Sequence, residues 1–228
     1  GLADDGATIR RSLLPSLPLP LAQHGGVSIG RSIHVCGGIE HPDATSASPR
    51  HLVMDLDKPE LGWRELPAPP GPARILATMA AVGDALYLAG GCSLHPDAAG
   101  KPARTYLRDA WKFQAGQWSR LPDLPRAAVA AASPAPVAGR EFFIVSGDDG
   151  SQTNLASPTD HRGFPRDILC FDTVNDRWTS DGMLPVPGPV TLAIAPWRDG
   201  FVFFNGEVRP GVRTPTVFIF HPDSQPVP

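Results

Sequence analysis

Apolar residues along this chain come in short runs closed by turn residues, and four of the runs end in a glycine-bearing pair: Gly37-Gly38, Gly90-Gly91, Ser146-Gly147 and Asn205-Gly206. Short apolar runs bounded by Gly, Pro, Asn and Asp predict strands rather than helices. The pairs lie 53, 56 and 59 residues apart, and the first three are followed 25 to 31 residues later by Trp63, Trp118 or Trp178. Self-similarity at that period predicts the blades of a β-propeller.

Each repeat divides into four strands, a to d. The second is clearest, with strand a over 75–82, a hairpin turn at Gly83-Asp84, strand b over 85–89, strand c over 109–113 and strand d over 117–121. Strand b recurs over 32–36, 142–145 and 201–204, and strand c over 51–56, 167–171 and 216–220. Gly30, Gly83, Gly139 and Gly200 all fall in the a-to-b turn, where a positive φ favours glycine. The predicted fold is therefore all-β, one propeller domain over 1–228 with blades at about 22–68, 72–123, 126–186 and 188–228.

Composition agrees and narrows the function. The 27 prolines and 23 glycines sit between the apolar runs, as a many-stranded fold requires. Twenty Lys and Arg against 23 Asp and Glu leave a formal charge of -3, and the basic residues are scattered, which argues against a nucleic-acid partner. No apolar run has the length of a membrane-spanning helix. Three widely separated cysteines have no zinc spacing and give no disulfide framework. Cys36 and Cys170 fall inside strands and are expected to be buried, whereas Cys92, just after a glycine pair, has the sequence setting of an exposed residue. The chain starts at Gly1 with no signal peptide, as a mature or trimmed form would.

Strand d reads Gly62-Trp63-Arg64-Glu65-Leu66-Pro67, then Gln117-Trp118-Ser119-Arg120-Leu121-Pro122, then Arg177-Trp178 with Leu184-Pro185 beyond. Together with the glycine pairs this resembles the kelch repeat over essentially the whole chain. The resemblance implies a scaffold role for these residues, with the tryptophan packed against the glycine pair. The fourth repeat stops 22 residues after Gly206, before a d-strand tryptophan. Either 8–14, followed by Pro15-Ser16-Leu17-Pro18, supplies that strand and closes a four-bladed ring, or the chain is part of a larger propeller; the second is favoured.

Blade topology puts the b-to-c loops on one face, at 39–50, 92–108, 148–166 and 207–215, so function is expected at their shared mouth. The fourth loop, Glu207-Val208-Arg209-Pro210-Gly211-Val212-Arg213-Thr214, is short and charged, and its Pro210-Gly211 turn can fold Arg213 back towards Glu207. With Gly206 it closely resembles the Gly-Glu-x-Lys-Pro-Gly-x-Arg-Thr signature of the sialic acid mutarotases, also named N-acetylneuraminate epimerases, which are six-bladed kelch propellers. Arg209 stands where that family has lysine. The third loop is shorter than in the best-known members, reading Gly147-Asp148-Asp149-Gly150 and then His161-Arg162-Gly163-Phe164-Pro165.

The resemblance implies an isomerase that interconverts sialic acid anomers by general acid/base ring opening, with no metal and no cofactor, acting on a small acidic sugar. It also implies a periplasmic or secreted protein. Glu207 is then the proton-transfer residue and Arg213 the partner of the sugar carboxylate, a group that a guanidinium fits bidentately. Arg74, Arg209, Asp148, Asp149 and His161 are candidates for substrate contact. Arg74 and Arg126 both follow a d-strand Leu-Pro and open strand a, a recurrence that also suits architecture. Asp148 and Asp149 can equally cap their own turn, and a loop histidine such as His161 can simply be solvated. A copper oxidase on this scaffold is set aside, because Tyr87 and Tyr106 are the only tyrosines and neither has a matching Cys and His constellation. A non-enzymatic propeller that binds a protein partner or an acidic sugar is the alternative; aromatic residues at 7%, few of them in the loops, weigh against a protein-binding surface.

Overall fold

The computed structural model describes residues 12–222. Its strands form four successive antiparallel blades. The first contains β1 (Gly25–Ile29), β2 (Ser32–Cys36), β3 (His51–Asp55) and β4 (Trp63–Leu66). The second has β5 (Thr78–Val82) and β6 (Ala85–Ala89), then a separate hairpin of β7 (Cys92–Pro96) and β8 (Pro102–Tyr106), then β9 (Ala110–Gln114) and β10 (Gln117–Leu121). The third is β11 (Val137–Ala138), β12 (Glu141–Val145), β13 (Asp167–Asp172) and β14 (Arg177–Met183). The fourth holds three strands, β15 (Ala193–Trp197), β16 (Gly200–Phe204) and β19 (Val217–Phe220), with β17 (Glu207–Arg209) and β18 (Val212–Arg213) as its loop hairpin.

The inner strands read as continuous apolar runs because a blade is covered on both faces. Along β12, Phe142 packs with Tyr87 and Phe171 between the second and third blades, while its neighbour Phe143 faces Phe203 and Phe220 between the third and fourth. Successive side chains on a strand point to opposite faces, so one strand feeds two cores.

The tryptophans of strand d tie blades together in a repeated way. Trp63 donates its indole N–H to the Pro15 carbonyl, Trp118 to that of Pro67 and Trp178 to that of Pro122, at 3.0, 2.8 and 3.0 Å. Each acceptor follows a leucine, and for Trp118 and Trp178 the Leu-Pro pair that ends one blade receives the tryptophan of the next. The rings pack on neighbouring aromatics, Trp118 on Phe113 and His51, Trp178 on Phe171 and Phe142. The space beside the glycine pairs belongs instead to backbone. A Cβ on Gly90 would lie 2.6 Å from the Ala128 carbonyl oxygen of the next blade, and Gly91 donates its N–H to that same oxygen at 3.0 Å.

Three local expectations change. Strand a of the second blade begins at Thr78, because Ile75 makes an isolated bridge to Cys92 and Leu76 turns to a φ of 55°. Gly200 lies in β16 rather than in the turn, whose positive φ falls on Arg198; a Cβ on Gly200 would meet the Phe220 carbonyl at 2.7 Å. Cys92 is fully buried, and burial pushes its thiol pKa up to about 11.

Buried clusters join the first blade to the second, the second to the third and the third to the fourth, and among the described residues none joins the fourth to the first. The blades form an open arc, with Phe204, Val217 and Ile219 exposed on the fourth. Of the segment considered for closing a four-bladed ring, positions 8–11 lie outside the described residues, and 12–17 carry no strand.

Candidate functional site

Repeat geometry builds the site. In every blade the residue after the glycine pair exchanges both backbone hydrogen bonds with the residue that leads into strand a: Ile39 with Ala22, Cys92 with Ile75, Asp148 with Val129, Glu207 with Val190. The next residue in each lead-in, Gln23, Leu76, Ala130 or Thr191, has a positive φ between 53° and 59°. Their backbones link across the blades, the N–H of Leu76 donating to Gln23 O, Ala130 to Leu76 O and Thr191 to Ala130 O, at 2.8 to 2.9 Å. This arc floors a cavity of about 940 Å³. That volume is ample for one sugar.

The cavity walls are the b-to-c loops of the second, third and fourth blades, as the topology implied. Glu207 reaches it from β17. Its Oε1 accepts the Gly211 N–H at 2.8 Å and its Oε2 faces the Arg213 guanidinium at 3.2 Å, the two residues being register partners across the hairpin. Glu207 is 20% exposed and Arg213 63%. Arg213 does not line this cavity; with Asn205 and Pro215 it borders a shallower hollow of about 650 Å³ on the flank of the fourth blade. Its guanidinium is oriented to Glu207 rather than to the space a ligand would fill.

Asp148, the third-blade counterpart of Glu207, also lines the cavity. Its Oδ2 accepts the Tyr106 hydroxyl at 2.7 Å and its Oδ1 the Gly150 N–H at 3.0 Å. The Tyr106 ring closes over Gly150, where a Cβ would stand 2.7 Å from the ring. Burial first, and then the hydrogen bond and charge of Asp148, raise the phenol pKa well above its ordinary value, so Tyr106 stays a donor. His161 is 5% exposed, lies edge-on to Phe164, and accepts the Gly163 N–H at its Nδ1. With Nδ1 accepting, a neutral ring carries its proton on Nε2.

The other sequence candidates lie elsewhere. Asp149 accepts the N–H and hydroxyl of Ser151, capping its own turn, and does not line the cavity. Arg209 is exposed in β17, outside the lining. Arg74 is 3% exposed and grips Asp109 bidentately at 2.8 and 2.6 Å while donating to Gly90 O. It is sealed into the second blade below the loops, and Arg126 holds Asp167 similarly in the third. Burial alone would raise the Asp109 pKa, but the Arg74 hydrogen bonds and charge, with the Trp111 N–H and the charge of Arg120, together hold that carboxyl below its ordinary value.

Sequence reasoning passed over Arg104 and Gln152, both on the wall, and noticed Tyr106 only as a metal ligand to reject. The signal was the two-residue alternation in β8, which puts Arg104 and Tyr106 on one face. Gln152 donates to Gly163 O and accepts the Arg162 N–H, so it pins the long third loop.

No family model matches the chain. It is 28% identical over 231 residues to the N-acetylneuraminate epimerase of Yersinia pestis (strain Pestoides F), an alignment that covers 90% of this chain and 56% of the relative. The N-acetylneuraminate epimerase of Haemophilus influenzae (strain PittEE) is 25% identical over 226 residues, covering 88% of this chain and 57% of its own. The chain thus spans little more than half the length of the curated relatives it matches. The solved structure of YjhT superposes with a TM-score of 0.72 at 21% identity, over 93% of this chain and 64% of the other. The fold is a kelch-type β-propeller arrangement of four blades, and the chain is similar over nine tenths of its length to the N-acetylneuraminate epimerases.

Proposed function

We propose that the protein interconverts the anomers of N-acetylneuraminic acid, with Glu207 as the proton-transfer residue. The observation that carries this reading is the setting of Glu207: a carboxylate on the wall of a sugar-sized cavity, fixed by one backbone N–H and one guanidinium. Similarity to epimerases of this sugar supports the substrate.

The anomeric hydroxyl gives its proton to Glu207. Its O–H electrons become the second bond of a ketone, the bond from the anomeric carbon to the ring oxygen breaks, and the ring oxygen keeps that electron pair and takes a proton. Both oxygens are attached to one carbon, so a single carboxyl group can accept the first proton and return it to the second. Closure on the opposite face of the ketone reverses each transfer. His161, on the same wall with its Nδ1 occupied by the Gly163 N–H, is placed to hold a sugar hydroxyl through Nε2. General acid/base help of about 10²- to 10⁴-fold suffices for a reaction that also runs unaided in water.

The test adds one pure anomer to the protein and follows interconversion by NMR. Acceleration that is lost in Glu207→Gln supports the proposal; no acceleration by the unmodified protein overturns it. Binding without acceleration would favour a lectin for the same acidic sugar.

A further inference from the structure

We infer that Arg104, on the loop hairpin of the second blade, is the residue that binds the sugar carboxylate and so selects acidic over neutral sugars. The inference rests on the sialic acid reading above. It departs from the expectation that Arg213 fills this role.

The cavity presents two carboxylates, Asp148 and Glu207, and an anionic ligand entering it must be offset by positive charge. Of the described residues that line the cavity, Arg104 is the one lysine or arginine. It is exposed, and its charge bears on the Tyr106 phenol beside it, yet no carboxylate among the described residues pairs with it. Arg213, also exposed, differs in being paired with Glu207 and in bordering the flank hollow instead of this cavity. The two Asp148 oxygens accept from Tyr106 and Gly150, and no ion pair joins that carboxylate to Arg104.

The backbone around Arg104 also fits the task. β8 is held by five register pairs to β7, Arg104 opposite Leu94, and the Tyr106 hydroxyl bond anchors the hairpin end to the third blade. A guanidinium on such a support presents a planar fork that matches a carboxylate bidentately. With the sugar anion at the second blade and the proton-transfer group at the fourth, the ring between them lies over the Leu76, Ala130 and Thr191 floor.

The experiment measures binding of N-acetylneuraminate and of its methyl ester, the same sugar without the charge, by calorimetry. The intact chain is compared with Arg104→Gln and Arg213→Gln, and melting curves confirm that each variant folds. The unmodified protein is expected to bind the acid about ten- to a hundredfold more tightly than the ester, the scale of one charge-assisted contact. Arg104→Gln is expected to lose that preference while its affinity for the ester changes little, and Arg213→Gln to keep it. Retention of the preference in Arg104→Gln, or its loss in Arg213→Gln alone, overturns the assignment. Failure of the unmodified protein to bind either sugar overturns the sialic acid reading, and this inference with it.

Discussion

Glu207 occupies in the fourth blade the position that Asp148 occupies in the third. Each exchanges two backbone hydrogen bonds with the valine leading into its own blade, at 2.8 to 2.9 Å. One methylene and one neighbour separate their chemistry. Asp148 is fastened by the Tyr106 hydroxyl and a turn N–H, whereas Glu207 meets a mostly exposed arginine at its outer oxygen. The replacements Glu207→Gln and Asp148→Asn should therefore separate in NMR exchange kinetics. Glu207→Gln is expected to lower kcat by about 10²- to 10⁴-fold with little change in KM. Asp148→Asn is expected to act mainly on KM, through displacement of Tyr106 and the hairpin beside the cavity.

Arg74 is a structural cation, and its removal should be felt in stability. Arg74→Ala leaves Asp109 buried without its partner, a loss of about 3 to 5 kcal/mol that urea unfolding would register. Changing Asp109 to Asn in the same protein removes the stranded charge, so the double variant should be less destabilised than the single one. The double variant, where folded, is expected to keep the discrimination between the acid and its ester.

His34 and His51 contact each other through Nδ1 and Nε2 at 2.9 Å inside the first blade, where His51 also packs on Phe113 and Trp118. Burial, then the charge of His34, lowers the His51 pKa from 6.5 to about 4, against a smaller opposing effect of the Pro67 carbonyl. The His34 pKa is also lowered, by burial and then by Arg64. The unfolded chain thus binds more protons than the folded one over the interval between those values. The stability contributed by this pair is expected to be complete above about pH 6.5 and to fall as pH drops towards 4, by roughly 3 kcal/mol from His51. Urea midpoints across that interval should show the decline, and His51→Asn should flatten it.

Two glycines with positive φ offer a controlled comparison. Gly116, at 82°, has open space where a Cβ would sit, so Gly116→Ala should cost about 1 to 2 kcal/mol for the backbone conformation alone. Gly90, at 62°, adds a 2.6 Å clash with the Ala128 carbonyl oxygen, and Gly90→Ala should cost roughly 2 kcal/mol beyond that. Thermal melting of the two variants separates the conformational penalty from the interblade contact.

The sequence by itself determined the blade period, the strand b and c cores, and the position of Glu207 and Arg213 on one hairpin, because each depends on residues close in the chain. Apolar run length, turn glycines and a Pro-Gly reversal are local features whose consequences are local. Tertiary structure decided which side chains meet across blades. Nothing near Arg74 in sequence announces Asp109, yet pairing with it 35 residues away removes the arginine from the site. Tyr106 and Asp148 are 42 residues apart and converge only because the second-blade hairpin lies against the third-blade loop. The place of Arg104 on the cavity wall, with no ion-pair partner among the described residues, is likewise an outcome of packing between repeats. Repetition fixes where each loop emerges; the contacts between neighbouring loops fix which of their charges remain available to a ligand.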